Sequence, residues 1–213
     1  VEQDPTEILS SVILTVRRAI EASGLKPDDI ATIGIANQRE TTIVWDRKTG
    51  KPAANAIVWQ CRRTAGICDN LVKDGHADDV RQRTGLMIDP YFSATKLRWL
   101  LDNIPDGQSR AERGDLCFGT VDSWLISKLT ENSIHRTDVT NASRTMLLNL
   151  HEGKWDTSLI RIFDIPAQIL PEIMSSSGEF GITDAHLIGA AIPITGVAGD
   201  QHAALYGQAC FRK

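Results

Sequence analysis

The chain has 213 residues, 42% of them hydrophobic, which is enough apolar material for one large or two small domains with a buried core and sets disorder aside. Its 23 basic and 27 acidic residues are interspersed and leave a formal charge of -4, so no field gathers a phosphate backbone and nucleic acid is excluded as a partner. No apolar stretch reaches the roughly 18 residues of a membrane span and no basic-then-apolar leader opens the chain, so the reading is a cytoplasmic protein.

Asp4 before Pro5 reads as a helix cap and first helical position, and Leu9, Val12, Ile13, Val16 and Ile20 follow at helical spacing to a stop at Gly24. Lys26-Pro27-Asp28-Asp29 turns the chain into Ile30 to Ala36, whose unbroken apolar run predicts a central strand. Thr41 to Trp45 predicts a second strand, ended by a polar turn from Asp46 to Gly50. From Cys61 to Glu112 the pattern is helical, broken at Gly75, Thr84-Gly85, Asp89-Pro90 and Pro105-Asp106-Gly107, with Lys96, Leu97, Trp99, Leu100 and Leu101 on its clearest apolar helix. Leu116 to Phe118 is a brief strand, Val121 to Leu129 a helix, and the short polar residues from Asp138 to Ser143 a loop. Met146 to Leu148 reads as a strand, Trp155 to Phe163 as a helix, and Ile192 to Val197 as a last strand feeding a helix over Ala203 to Gln208. Strands alternating with longer helices give the α/β class.

Four cysteines, Cys61, Cys68, Cys117 and Cys210, show no CxxC and read as reduced, buried packing thiols. Five histidines (His76, His135, His151, His186, His202) show no ligand spacing, so no metal site is predicted, and neither a GxxxxGK[ST] loop nor a GxGxxG fingerprint is present.

The candidate site residues sit at element ends. Asn37-Gln38-Arg39-Glu40-Thr41-Thr42 sets a cation beside an anion at a strand terminus, where α/β sheets bind their ligands. Arg39 and Glu40 thus offer donors and acceptors to a small polyol, or form a solvated pair of little weight. Asp200 follows Gly196-Val197-Ala198-Gly199 at a helix N-terminus that favours an ionised carboxylate, and reads either as a base or as an N-cap. Tyr91 and Trp59 are each either core side chains or the apolar wall of a cavity.

These segments resemble the glycerol kinases of the FGGY carbohydrate kinase family. The matching runs follow in order along nearly the whole chain: Asn37 to Trp45, Asn55 to Arg63 with Trp59-Gln60-Cys61-Arg62-Arg63, Asp89-Pro90-Tyr91-Phe92-Ser93, Gly119 to Leu125, Thr140-Asn141-Ala142-Ser143-Arg144-Thr145-Met146, and Gly196 to Gln201. The resemblance implies an actin-like, ribonuclease H-like ATPase domain with a mixed sheet flanked by helices. It implies transfer of the terminal phosphoryl group of ATP, with Mg2+, to glycerol, giving sn-glycerol 3-phosphate in glycerol catabolism. By the same likeness Arg39, Glu40 and Tyr91 hydrogen-bond the glycerol hydroxyls, Gln201 assists, Trp59 packs on the carbons, and Asp200 takes the proton of the reacting hydroxyl. In the family a phosphate-binding turn lies upstream of the residues present here and the nucleotide-binding domain downstream of Lys213. The expectation is therefore that residues 1–213 are the glycerol-binding N-terminal domain without its first strands and without the C-terminal domain, binding no nucleotide and inactive alone. Loss of opening strands leaves the segment from Ile30 to Ala36 as an edge and points to a homo-oligomer. His186 stands at a distance before Asp200 similar to that of a histidine which, in some members, the phosphocarrier protein of the sugar phosphotransferase system modifies. The arginine used by some members for an inhibitory sugar bisphosphate has no counterpart from Ala185 to Ala191. The alternatives are another FGGY sugar or polyol kinase, and a non-catalytic polyol-binding module.

Overall fold

The computed structural model describes residues 1–212. After β1 (Glu2–Gln3), helix α1 (Pro5–Ser23) starts where the Asp4 side chain accepts the Thr6 N–H at 2.7 Å and stops at Gly24 in the left-handed conformation, φ 72°. Its Ile8, Leu9, Val12 and Ile13 pack half-buried on the core, and the Trp124 indole N–H donates to the Pro5 carbonyl at 2.9 Å.

The two apolar strands that follow have opposite fates. β2 (Ile33–Asn37) is shorter than the predicted run and, among the described residues, lies at one end of the three-stranded sheet β10 (Ser177–Ile182), β11 (Pro193–Gly199), β2, and not in its centre; its Gly34 and Ala36 face outward. Small residues on one face of that strand made the run look fully buried, although its core contacts come from Ile30, Ile33 and Ile35. Among the described residues β2 pairs with β11 alone. β3 (Ile43–Asp46) is buried on both faces. It pairs antiparallel with β5 (Leu116–Gly119), and the two-residue period sends Val44, Leu116 and Phe118 into one apolar cluster and Ile43, Trp45 and Cys117 into another.

The first cluster is built on α4 (Ser93–Asn103), whose Leu97, Leu100 and Leu101 are buried, with Val80 from α3 (Ala77–Thr84) and Ala111 from α5 (Gly107–Glu112). β4 (Ala56–Ile57) and α2 (Ala65–Lys73) border it, so the helical breaks at 75, 84–85, 89–90 and 105–107 fall where predicted. The second cluster centres on α6 (Val121–Leu129), with Trp124 edge-on to Trp45 at 5.5 Å.

Beyond α6 the sequence reading needs five corrections. The predicted loop from Asp138 to Ser143 is instead β6 (Arg136–Asp138) and a single helical turn α7 (Val139–Ala142), because the Asp138 carboxylate caps it. Met146 has φ 63°, so the supposed strand starts only at Leu148, as β7 (Leu148–Asn149) paired with β8 (Lys154–Trp155). Trp155 therefore lies in a strand, and Asp156 caps α8 (Thr157–Ile162) after it. Helix α10 (Asp200–Gly207) starts at Asp200 itself, three residues before the predicted start, and precedes an exposed Cys210, which is not a packing thiol. β9 (Glu172–Met174), parallel to β6, and the short α9 (Ala185–Ile188) complete the chain. No helix among the described residues is long and apolar enough to cross a membrane.

Candidate functional site

β2 and β11 run parallel with Asn37 opposite Gly199, so Arg39 and Asp200 emerge side by side from neighbouring strand ends. Arg39 is 5% exposed, and its Nε lies 3.5 Å from Asp200 Oδ1. The contact lacks hydrogen-bond alignment, and that buried nitrogen has no partner. Arg39 Nη2 donates to Gln201 Oε1, and Nη1 lies 3.5 Å from His202 Nδ1. A β-carbon on Gly199 would sit 2.2 Å from Arg39 Cδ, so the arginine stem lies directly on the glycine backbone. The Asp200 carboxylate is 58% exposed and accepts the Gln201 N–H at 2.8 Å. Since α10 starts at Asp200 with Gly199 in the capping position, Asp200 does not cap the helix, and its side chain stays largely exposed.

Glu40 turns away from its neighbour. Its φ of 63° is rare for a residue with a β-carbon, and its carbonyl is held there by the hydroxyls of Thr42 and Ser93, each at 3.1 Å. The buried carboxylate accepts from Arg144 Nε at 2.7 Å. The guanidinium of Arg144 lies over the rings of Tyr91, at 5.8 Å, and Phe92, at 4.7 Å. Tyr91 in turn meets the indole of Trp59 at 5.5 Å, and these two with Gln60, Arg62 and Asp89 line an open cleft of about 410 Å³. Arg39 and Glu40 are thus a buried pair of connectors with separate partners, not the solvated pair that adjacent charges suggest.

The structure therefore gathers the candidates into two contact sets joined through one peptide bond, Arg39–Asp200–Gln201 and Glu40–Arg144–Tyr91–Trp59. His186 joins neither. It is exposed in α9, its carbonyl accepting from Arg17 Nη2 at 2.9 Å, and it lines a separate cleft with Arg17, Glu21 and Pro27.

Two residues of this neighbourhood escape sequence reasoning. Arg144 sits in a polar run with no periodicity to flag it, and Lys96 hides on an apolar helix face. Lys96 is fully buried and donates to the carbonyls of Pro90 at 3.1 Å, Phe92 at 2.9 Å and Tyr91, anchoring the turn that carries the tyrosine. Burial pushes its ammonium down to about 7, against the pull of the nearby Glu40 charge. A lysine among leucines at helical spacing was the available signal.

Residues 1–207 match the FGGY family of carbohydrate kinases, N-terminal domain. The chain is 56% identical over 212 residues to glycerol kinase 2 of Thermotoga maritima and 57% identical over 212 residues to the glycerol kinase of Ralstonia pickettii, in each case over 100% of this chain and 43% of the relative. It spans less than half the length of the curated relatives it matches. Among solved structures it is similar to the glycerol kinase of Plasmodium falciparum with ADP, with a TM-score of 0.93 and 38% identity over 100% of this chain and 43% of that one. Gluconate kinase from Lactobacillus acidophilus, at 24% identity and a TM-score of 0.82 over 94% of this chain and 40% of that one, shares the fold. The mixed α/β architecture is the actin-like ATPase fold of these kinases. With the family match running through all but the last few residues, the chain belongs to the FGGY family of carbohydrate kinases.

Proposed function

We propose that this chain is the glycerol-binding, N-terminal side of a glycerol kinase, which phosphorylates glycerol to sn-glycerol 3-phosphate in the cytoplasm. The observation that carries the reading is the pairing of a buried, unpartnered Arg39 Nε with the outward-facing Asp200 carboxylate, a few residues from a second buried charge pair, Glu40–Arg144. A small molecule with adjacent hydroxyls matches such a set of fixed donors and acceptors, while the tilted faces of Trp59 and Tyr91 suit a short carbon chain.

Arg39 and Glu40 orient two hydroxyls, and Asp200 receives the proton of the third. As that proton leaves, the hydroxyl oxygen bonds to the terminal phosphorus of ATP and the bond to the bridging oxygen breaks, releasing ADP. Mg2+ would come with the nucleotide, held mainly by phosphate oxygens and water, and would neutralise charge on the transferring phosphoryl group, which leaves Asp200 to the proton. The described residues hold no cluster of three or more ligating side chains. Alignment of the nucleophile is the chain's main contribution, because a loose transition state asks mainly for position and charge. The rest of the cleft and the nucleotide contacts belong, in this reading, to sequence corresponding to the remaining length of the relatives. The open edge of β2 fits either that sequence or a second copy of the chain.

The test is ATP turnover by the whole protein carrying this chain, with glycerol, 1,2-propanediol, gluconate and xylulose as acceptors. Glycerol-dependent ADP formation, lost in Asp200→Asn and weak with 1,2-propanediol, is expected because a missing hydroxyl leaves buried partners unpaired. Turnover of a sugar acid or ketose in place of glycerol overturns the assignment.

A further inference from the structure

The ends of β2 and β11, paired out to Asn37 and Gly199, are both bound by a third segment, the turn α7. Asp138 is fully buried and accepts five hydrogen bonds: from the backbone N–H of Thr140 at 3.0 Å and Asn141 at 2.9 Å, the Thr140 hydroxyl at 2.6 Å, the Asn141 side-chain amide at 2.8 Å and the Ser176 hydroxyl at 2.7 Å. Capping a single turn needs only the first two. The others tie the carboxylate to side chains that reach both strands.

The Thr140 hydroxyl, its proton committed to Asp138, turns a lone pair to the N–H of Gly199, which it accepts at 2.8 Å. Gly199 directly precedes Asp200 and supports the Arg39 stem. Asn141 is oriented by its bond to Asp138 and exchanges amide hydrogen bonds with Asn37, at 2.9 Å and 3.1 Å, two residues before Arg39. One buried carboxylate therefore reaches, through one intermediary each, the backbone N–H of the residue before Asp200 and the side chain of the residue two before Arg39. A charged acceptor at the root of such a chain strengthens and orders every later bond.

We propose that Asp138, acting through Thr140 and Asn141, is a positioning residue that sets Asp200 and Arg39 relative to each other for phosphoryl transfer. The proposal rests on the kinase reading above. Asp138 touches no substrate in this scheme; it acts through the backbone at Gly199 and the side chain of Asn37.

Because removal of Asp138 risks the fold, the test uses Thr140→Val, which keeps the shape and presents a methyl group to the Gly199 N–H, with Thr140→Ser as the conservative rescue. In the whole protein, Thr140→Val is expected to lower kcat by about 10- to 100-fold with KM for glycerol within about threefold, the scale of a displaced reacting group, and Thr140→Ser to recover kcat to within about threefold. Amide hydrogen exchange at Gly199 is expected to quicken about tenfold in Thr140→Val and to stay unchanged in Thr140→Ser, as loss of one protected local hydrogen bond predicts. A Thr140→Val enzyme with wild-type kcat, or a loss that serine does not repair, overturns the proposal. Should the wild type fail to phosphorylate glycerol, the kinase reading falls. The relay is then judged on Gly199 exchange alone, where equal rates in wild type and Thr140→Val overturn it and faster exchange in the valine variant supports it.

Discussion

Replacing Arg144 by methionine tests the electrostatic core of the site. The Glu40 side chain is 3% exposed and Arg144 27%, and their 2.7 Å contact is the carboxylate's ion pair. Breaking a buried pair by deleting one member costs about 3–5 kcal/mol because the other charge stays buried without its counter-charge. Water reaches the partly exposed Arg144 position, which puts the expected loss at the lower end, about 3 kcal/mol. For a chain of this size that corresponds to a fall in Tm of roughly 6–12 °C. In a Glu40→Gln background the same substitution forfeits only the stacking on Tyr91 and Phe92, about 1 kcal/mol. Urea unfolding of the wild type, both single variants and the double variant then gives a coupling energy of about 2 kcal/mol. A coupling below about 0.5 kcal/mol would refute the reasoning, since Glu40 would then be satisfied without Arg144.

Two further outcomes follow from the same region. Burial lowers Lys96 from 10.5 to about 7, so the unfolded chain binds the extra proton between those values and this group makes stability rise as pH climbs from 7 towards 10. Over the full interval the rise amounts to about 4 kcal/mol, and Lys96→Met should abolish it; equal pH slopes for both chains in urea unfolding would exclude the buried-ammonium account. Gly199→Ala places a methyl group 2.2 Å from Arg39 Cδ, so the arginine or the strand end must shift. A destabilisation of about 1–3 kcal/mol is expected, together with weaker glycerol binding in a calorimetric titration, and a neutral substitution would mean the arginine stem is free to move.

The sequence by itself determined most helices, because caps and breakers act locally: Asp4, Pro5 and Gly24 bound α1, and the Gly and Pro interruptions from 75 to 107 separate α2 to α5. It also determined where the candidate residues lie along the chain, since Arg39 and Asp200 each follow a recognisable strand. Only the tertiary structure decided that β3 is buried on both faces while Gly34 and Ala36 of β2 are exposed, because an apolar run reads alike in either place. Only the fold could show that Glu40 pairs with Arg144 and not with its neighbour, a contact between residues 104 positions apart fixed by a left-handed backbone angle. The short strands β6, β9 and β10 and the turn α7 likewise had no periodic signature. Four of the five bonds to Asp138 come from Thr140 and Asn141, two and three residues on, but its complete burial and the bond from Ser176, 38 positions away, belong to the packed interior.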